Sequence, residues 1–133
     1  VFRVLLFVIG LLFAASLALT GCIHYEHDSA KGKPAEQVVT IQQFDKSLTI
    51  VKIDGEQTLY WLSRQSEYRV GAGVHTLQVR KFITAQTHTA LVPLTVELAP
   101  GRTYRLYGFS SLNQWSYDIR DIETGQSASV VKP

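Results

Sequence analysis

The sequence predicts an all-β domain, a small antiparallel β-sandwich of about seven or eight strands. Three observations carry that expectation. Runs of β-branched and aromatic residues alternate with polar ones at period two. Turn signals separate these runs at the ~8–12-residue spacing of sandwiches and barrels. No window beyond the N-terminal apolar segment shows a helical period.

The elements follow in order. Val38-Val39-Thr40-Ile41 is β-branched and reads as a strand. Leu48–Ile53 is a second, closed by the Asp54-Gly55 turn signal. Thr58–Leu62 is apolar and fits a strand or a helical turn. Tyr68-Arg69-Val70 runs into Gly71-Ala72-Gly73, and Val74–Phe82 then alternates. His75, Leu77 and Val79 share one face there, and Thr76, Gln78 and Arg80 the other. Thr89–Leu98 carries Pro93, which has no N–H, so this strand is broken or lies at an edge. Ala99-Pro100-Gly101 turns the chain. Tyr104, Leu106 and Gly108 then oppose Arg105, Tyr107 and Phe109. In the next run Trp115, Tyr117 and Ile119 oppose Ser116, Asp118 and Arg120. Glu123–Gln126 turns into a last strand at Ser127–Val131.

The chain before Val38 is different. Residues 1–21 form an apolar segment whose single charge is Arg3, and small residues Thr20 and Gly21 close it. A basic start, an apolar stretch and small residues are the marks of a secretory signal, here a signal helix. Leu19-Thr20-Gly21-Cys22 resembles the lipobox of bacterial lipoproteins, and the match covers residues 1–22. The resemblance implies that Cys22 takes diacylglycerol on sulfur, becomes the first mature residue and accepts a further acyl chain on its amine. Each buried acyl CH₂ contributes about 0.8 kcal/mol, and two or more chains hold a protein stably. An uncleaved transmembrane helix is the alternative, because Val4–Ile23 approaches the ~20 residues needed to span a bilayer. In lipoprotein sorting, Asp after the cysteine retains a protein at the inner membrane. Ile23 stands there instead, so in a cell with two membranes the expectation is the outer membrane, facing the periplasm. Residues 22–37, with charge, Gly and Pro and few apolar side chains, read as a flexible tether. The sandwich then occupies residues 38–133.

Composition narrows the function. The chain has 13 basic residues, Arg3 among them, against 11 acidic ones. The domain is nearly neutral and has no basic stripe, which excludes nucleic acid as an expected partner. It has no polybasic patch for anionic lipid either. Cys22 is the only cysteine, so the exported domain folds without a disulfide. What remains is long enough for one domain with an adequate core.

Two stretches carry a second resemblance. Lys52-Ile53-Asp54-Gly55, followed by Val70-Gly71-Ala72-Gly73-Val74-His75-Thr76-Leu77-Gln78-Val79, is similar to the PEGA-type module of bacterial surface proteins. The likeness covers roughly residues 48–82. Residues 57–69 depart from it, and Ala72-Gly73 replaces its Pro-Gly. It implies an immunoglobulin- or prealbumin-like sandwich in which Gly55 and Gly73 serve turns and His75 and Leu77 serve packing. It brings no catalytic residue.

Candidate chemistry is sparse. His24-Tyr25-Glu26-His27-Asp28 is the densest set of metal-ligand types, but on a tether it has nothing to orient it, so no metal or other cofactor is expected. Ser110, Ser111 and Asp118 lack the motif context of a nucleophile with His75 or His88. Gly-x-Ser-x-Gly, His-Glu-x-x-His and phosphate-cradling glycine loops are missing from the sequence. Aromatic residues offer a stacking platform for sugars or partner side chains. Tyr104, Trp115 and Tyr117 fit a core face, which leaves Tyr107 and Phe109 as the candidate binding surface. The expected function is a lipid-anchored, non-enzymatic envelope protein that binds an envelope protein or cell-wall partner, or supports an assembly. A small periplasmic hydrolase or metal-dependent enzyme, and a ligand carrier or sensor, are the alternatives.

Overall fold

A computed structural model describes Arg3 and residues 24–61 and 66–130 of the chain. The expected signal segment, Arg3 apart, and Leu19–Cys22 lie outside the described residues. Nine strands are present among those described: β1 (His24–Glu26), β2 (Val38–Gln43), β3 (Leu48–Ile53), β4 (Glu56–Gln57), β5 (Glu67–Gly71), β6 (Gly73–Lys81), β7 (Val92–Leu98), β8 (Thr103–Ser111) and β9 (Gln114–Asp121). They form a five-stranded sheet, β1-β5-β2-β8-β9, and a four-stranded sheet, β4-β3-β6-β7. The fold is a small all-β sandwich.

Period-two alternation builds the core. The five-stranded sheet turns Val39, Ile41, Tyr68, Val70, Leu106 and Ile119 inward. The other sheet answers with Leu48, Ile50, Ile53, Leu77, Val79, Val96 and Leu98. In β3 Val51 is buried as well, and the residues that join the core cluster step by three from Ile50 to Ile53. A register shift against β6 between Ile50 and Lys52 absorbs the extra residue. Asp54 and Gly55 take positive φ of 51° and 82° in the tight turn that their sequence signals. Pro93 lies on β7, the edge of its sheet, where a missing N–H does no harm.

Three expectations need correction. First, residues 24–37 are not a tether. His24–Glu26 pairs with β5, a 3₁₀ turn follows at Asp28–Ala30, and a second occupies Ala35–Gln37. His27 and Ala30 are buried. The polar residues here find partners on distant strands, so composition alone does not reveal the docking. Second, the sheets are not wholly antiparallel. β1 pairs parallel with β5, and β2 pairs parallel with β8. The 27–37 connection passes the end of β5, so β1 and β2 flank that strand in opposite directions. Third, residues 127–130 make isolated bridges rather than a strand. They sew the two sheets together along one side: Ala128 N–H donates to Ile119 O, and Glu97 N–H donates to Ala128 O, each at 2.8 Å.

Thr58–Trp61 is not a strand either. β4 ends at Gln57, and Leu59 takes a φ of 57°. Leu62 lies outside the described residues.

Candidate functional site

The opposite side of the sandwich is closed by side chains. His27 leaves the end of β1 and enters the seam between the sheets. Its Nδ1 accepts Ser29 N–H at 3.2 Å and lies 2.7 Å from Ser29 Oγ. Its Nε2–H faces Ile53 O at 3.1 Å. Ser29 Oγ in turn accepts Gly71 N–H at 2.8 Å. Tyr25 OH donates to Glu56 Oε2, which lies 3.8 Å from His27 Nε2. The His75 ring stands edge-on to His27, with centroids 5.8 Å apart. His75 Nδ1 is 2.5 Å from Asp54 Oδ2, and its Nε2 is 2.7 Å from Gly71 O. Asp54 Oδ1 accepts Thr76 N–H at 2.8 Å. Burial raises the Asp54 pKa, but the His75 and Thr76 hydrogen bonds outweigh it and hold the carboxyl below the usual range.

His27, Asp54 and His75 place one ligand atom each within 4.8 Å of one another, so they are the residues that could hold a cation. Hydrogen bonds already occupy the atoms concerned. A cation would have to displace Ile53 O from His27 and the proton between His75 and Asp54. Of the metal-ligand types in residues 24–28, His27 alone belongs to this group. The structure disperses the rest of that run: Tyr25 reaches Glu56, and Asp28 lies 3.8 Å from Lys31. Asp54 was legible as a turn residue and His75 as a packing residue, and the pairing joins those two readings. Ser29, His27 and Glu56 have the residue types of a nucleophile, a base and an acid. However, Ser29 Oγ is held by Gly71 N–H, and His27 is buried against Ile53 O, away from solvent.

Tyr107 and Phe109 face outward from β8, opposite Tyr104 and Leu106, which are buried. Phe44 joins them: its ring lies 5.3 Å from that of Tyr107. Arg105 sits 5.4 Å over Phe44, and Arg120 sits 5.0 Å over Phe109, so the face interleaves cations with rings. Phe44 falls just beyond β2, in no alternating run, so the sequence pattern does not point to it. Trp115 shares the inward face with Tyr117 and Ile119 but is only half-buried, at the hairpin end of β9. Its ring stacks on Tyr117 at 6.0 Å. Ser110 Oγ accepts from Lys81 Nζ at 2.8 Å, Asp118 pairs with Arg120 at 3.0 Å, and His88 packs on Phe82, so these residues do not converge with His75.

A cleft of about 700 Å³ opens between the sheets at one end, with Leu48, Tyr60, Tyr68 and Phe82 in its wall. Burial pushes the Tyr68 phenol well above its ordinary pKa, and its OH donates to Gln43 Oε1 at 3.3 Å. Among the described residues no helix is long and apolar enough to cross a membrane.

No protein-family model, curated protein or solved structure matches the chain.

Proposed function

We propose that the chain is a lipid-anchored bacterial envelope protein whose sandwich acts as a non-enzymatic binding or assembly module. The observation that carries this reading is Leu19-Thr20-Gly21-Cys22 at the end of an apolar run, one residue before β1. The anchor is acylated Cys22, with residues 1–21 removed. In a cell with two membranes, Ile23 favours the outer membrane. The partner is an envelope protein or cell-wall component. Tyr107 and Phe109, with Arg120 over the Phe109 ring, supply the surface for it. We read residues 48–82 as a PEGA-like module. The bonds from His75 and Thr76 N–H to Asp54 support a structural use of its Asp-Gly turn and histidine.

Mass spectrometry of the mature N-terminus tests the anchor: an acylated Cys22 peptide is expected, and an intact start at Val1 overturns the reading. Crosslinking in intact envelopes tests the surface. One discrete adduct is expected, lost in Tyr107→Ala and Phe109→Ala variants that still fold. The open cleft beside Tyr60 and Phe82 favours a second reading, a carrier of an apolar ligand. Native mass spectrometry that finds a stoichiometric small molecule would favour it.

A further inference from the structure

We propose that the end of the sandwich where β1 begins rests on the lipid bilayer and seats its apolar loop residues among the lipid headgroups. The proposal builds on the reading of Cys22 as the membrane-anchored residue. It adds which surface of the folded domain meets the membrane.

Strand direction fixes what lies at that end. His24 is opposite Glu67 at the start of β5. Gln42 is opposite Glu67 at the close of β2, and Leu48 is opposite Lys81 at the start of β3 and the finish of β6. β8 runs parallel to β2 and continues past it to the β8–β9 hairpin tip. The loops after β2, β4, β6 and β8 therefore share the end at which the chain arrives from Cys22. Contacts tie them together: Phe82 N–H donates to Ser47 O at 2.7 Å, and Tyr60 packs on Phe82 at 6.1 Å.

Those four loops each present an exposed apolar residue. Leu112 at the hairpin tip is 97% exposed, Ile83 66%, Phe44 58% and Trp61 55%. Such side chains are costly in water and gain by entering the headgroup–acyl boundary, where Trp is also well suited. The far end exposes Val74 and Ile122 beside Lys31, Glu36, Arg102 and Glu123 around the turns there, two large apolar residues against four at the near end. At the near end Asp45 is tied to Ser47 N–H and Oγ, Glu67 lies 3.4 Å from Arg69, and exposed Lys46 suits lipid phosphate.

The geometry leaves little freedom. Only Ile23 separates Cys22 from β1, so the lipid sits within two residues of the folded domain. β6 spans about 26 Å at the usual strand rise, so the far end cannot share a headgroup layer entered to a depth of ~5–10 Å.

The test uses the full-length, membrane-held protein. Acylated Cys22 has no free thiol, so Leu112→Cys, Ile83→Cys and Glu123→Cys each carry a single site for an environment-sensitive nitrobenzoxadiazole probe. The protein is reconstituted in phosphatidylethanolamine–phosphatidylglycerol vesicles containing dibrominated phosphatidylcholine. Quenching several-fold stronger at positions 112 and 83 than at 123 is expected. Equal, weak quenching at all three sites while the protein stays on the vesicles overturns the proposal. So does shielding of 112 and 83 from water without bromine quenching, the outcome if a protein partner covers them. Probe labelling of Cys22 itself, with intact mass, reports separately on the anchor. A free Cys22 thiol sinks the anchor, and the three sites are then compared in a Cys22→Ser background, where stronger quenching at 112 and 83 keeps the membrane surface and equal, weak quenching overturns it.

Discussion

His75 Nδ1 lies 2.5 Å from Asp54 Oδ2 while its Nε2 lies 2.7 Å from Gly71 O. Asp54 Oδ2 and Gly71 O are both acceptors, one at each ring nitrogen. One buried ring thereby fastens the β3–β4 turn to the β5–β6 turn. His75→Ala leaves Gly71 O without this donor inside the seam. Losing a charge-assisted bond of this kind costs about 1.5–3 kcal/mol. Urea denaturation should show an unfolding free energy lower by that amount, seen as a lower midpoint with an unchanged slope. His75→Ala matching the wild type would show that the bridge adds nothing.

Acid should loosen the same seam. The Asp54 carboxyl is held below its ordinary value of 3.8, and so is that of Asp121, chiefly by its hydrogen bond from Arg102 at 2.7 Å. A carboxyl with a depressed folded-state pKa contributes stability that is fully present above the unfolded value and lost as pH falls through the folded one. Thermal melts should therefore decline below about pH 4 on account of these groups. Asp54→Asn should melt lower at pH 7 and show a shallower acid limb. An acid limb as steep as the wild type's would remove Asp54 from the account.

Gly71 tests whether the N-terminal segment belongs to the domain. A Cβ there would stand 2.6 Å from Ser29 O and 3.1 Å from Ser29 Cβ. The obstacle is backbone, so Gly71→Ala must push residues 28–30 away from β5. Overpacking of this kind costs about 1–3 kcal/mol. At Gly108 the obstacles are side chains, the Asp45 carboxylate and Leu48 Cδ1 at 3.1 Å, which can yield at the cost of the Asp45–Ser47 bonds without moving backbone, so Gly108→Ala should leave residues 28–30 in place. Hydrogen exchange at Ala30 and His27 amides should quicken in Gly71→Ala alone. Unchanged exchange would mean that the segment is not docked as described.

These residues also show why some of the molecule was legible in sequence and some was not. β6, β8 and β9 alternate cleanly because one face of each meets the core and the other meets water. Asp54-Gly55 was legible because a tight turn demands positive φ, a local requirement. His27 was not, because what buries it is Ile53 O and Glu56, far along the chain. The parallel pairing of β2 with β8 is equally non-local and leaves no mark in either strand's pattern. At the candidate surface, alternation placed Tyr107 and Phe109 outward. Phe44 became their neighbour only through that same parallel pairing.

Trp115 and Tyr117 separate depth of burial from face. Both point inward from β9 and their rings stack, but Tyr117 is buried and Trp115 is half-buried. Tyr117 OH also donates to Val92 O at 2.6 Å, which joins the two sheets. Tyr117→Ala removes a core ring and that bond, so a loss of about 3–5 kcal/mol is expected. This is a large share of the ~5–15 kcal/mol that holds a domain together. Trp115→Ala removes a larger ring from a site that water partly reaches, and its cost should be smaller than that of Tyr117→Ala. Tyr107→Ala, on the outward face, should cost less than either and act instead on the envelope crosslink. Thermal melts of the three variants rank them directly. An order with Trp115→Ala at the bottom would mean that the β8–β9 hairpin closes over Trp115 more tightly than its half-buried position implies. It would then be part of the core rather than the rim of the membrane-facing end.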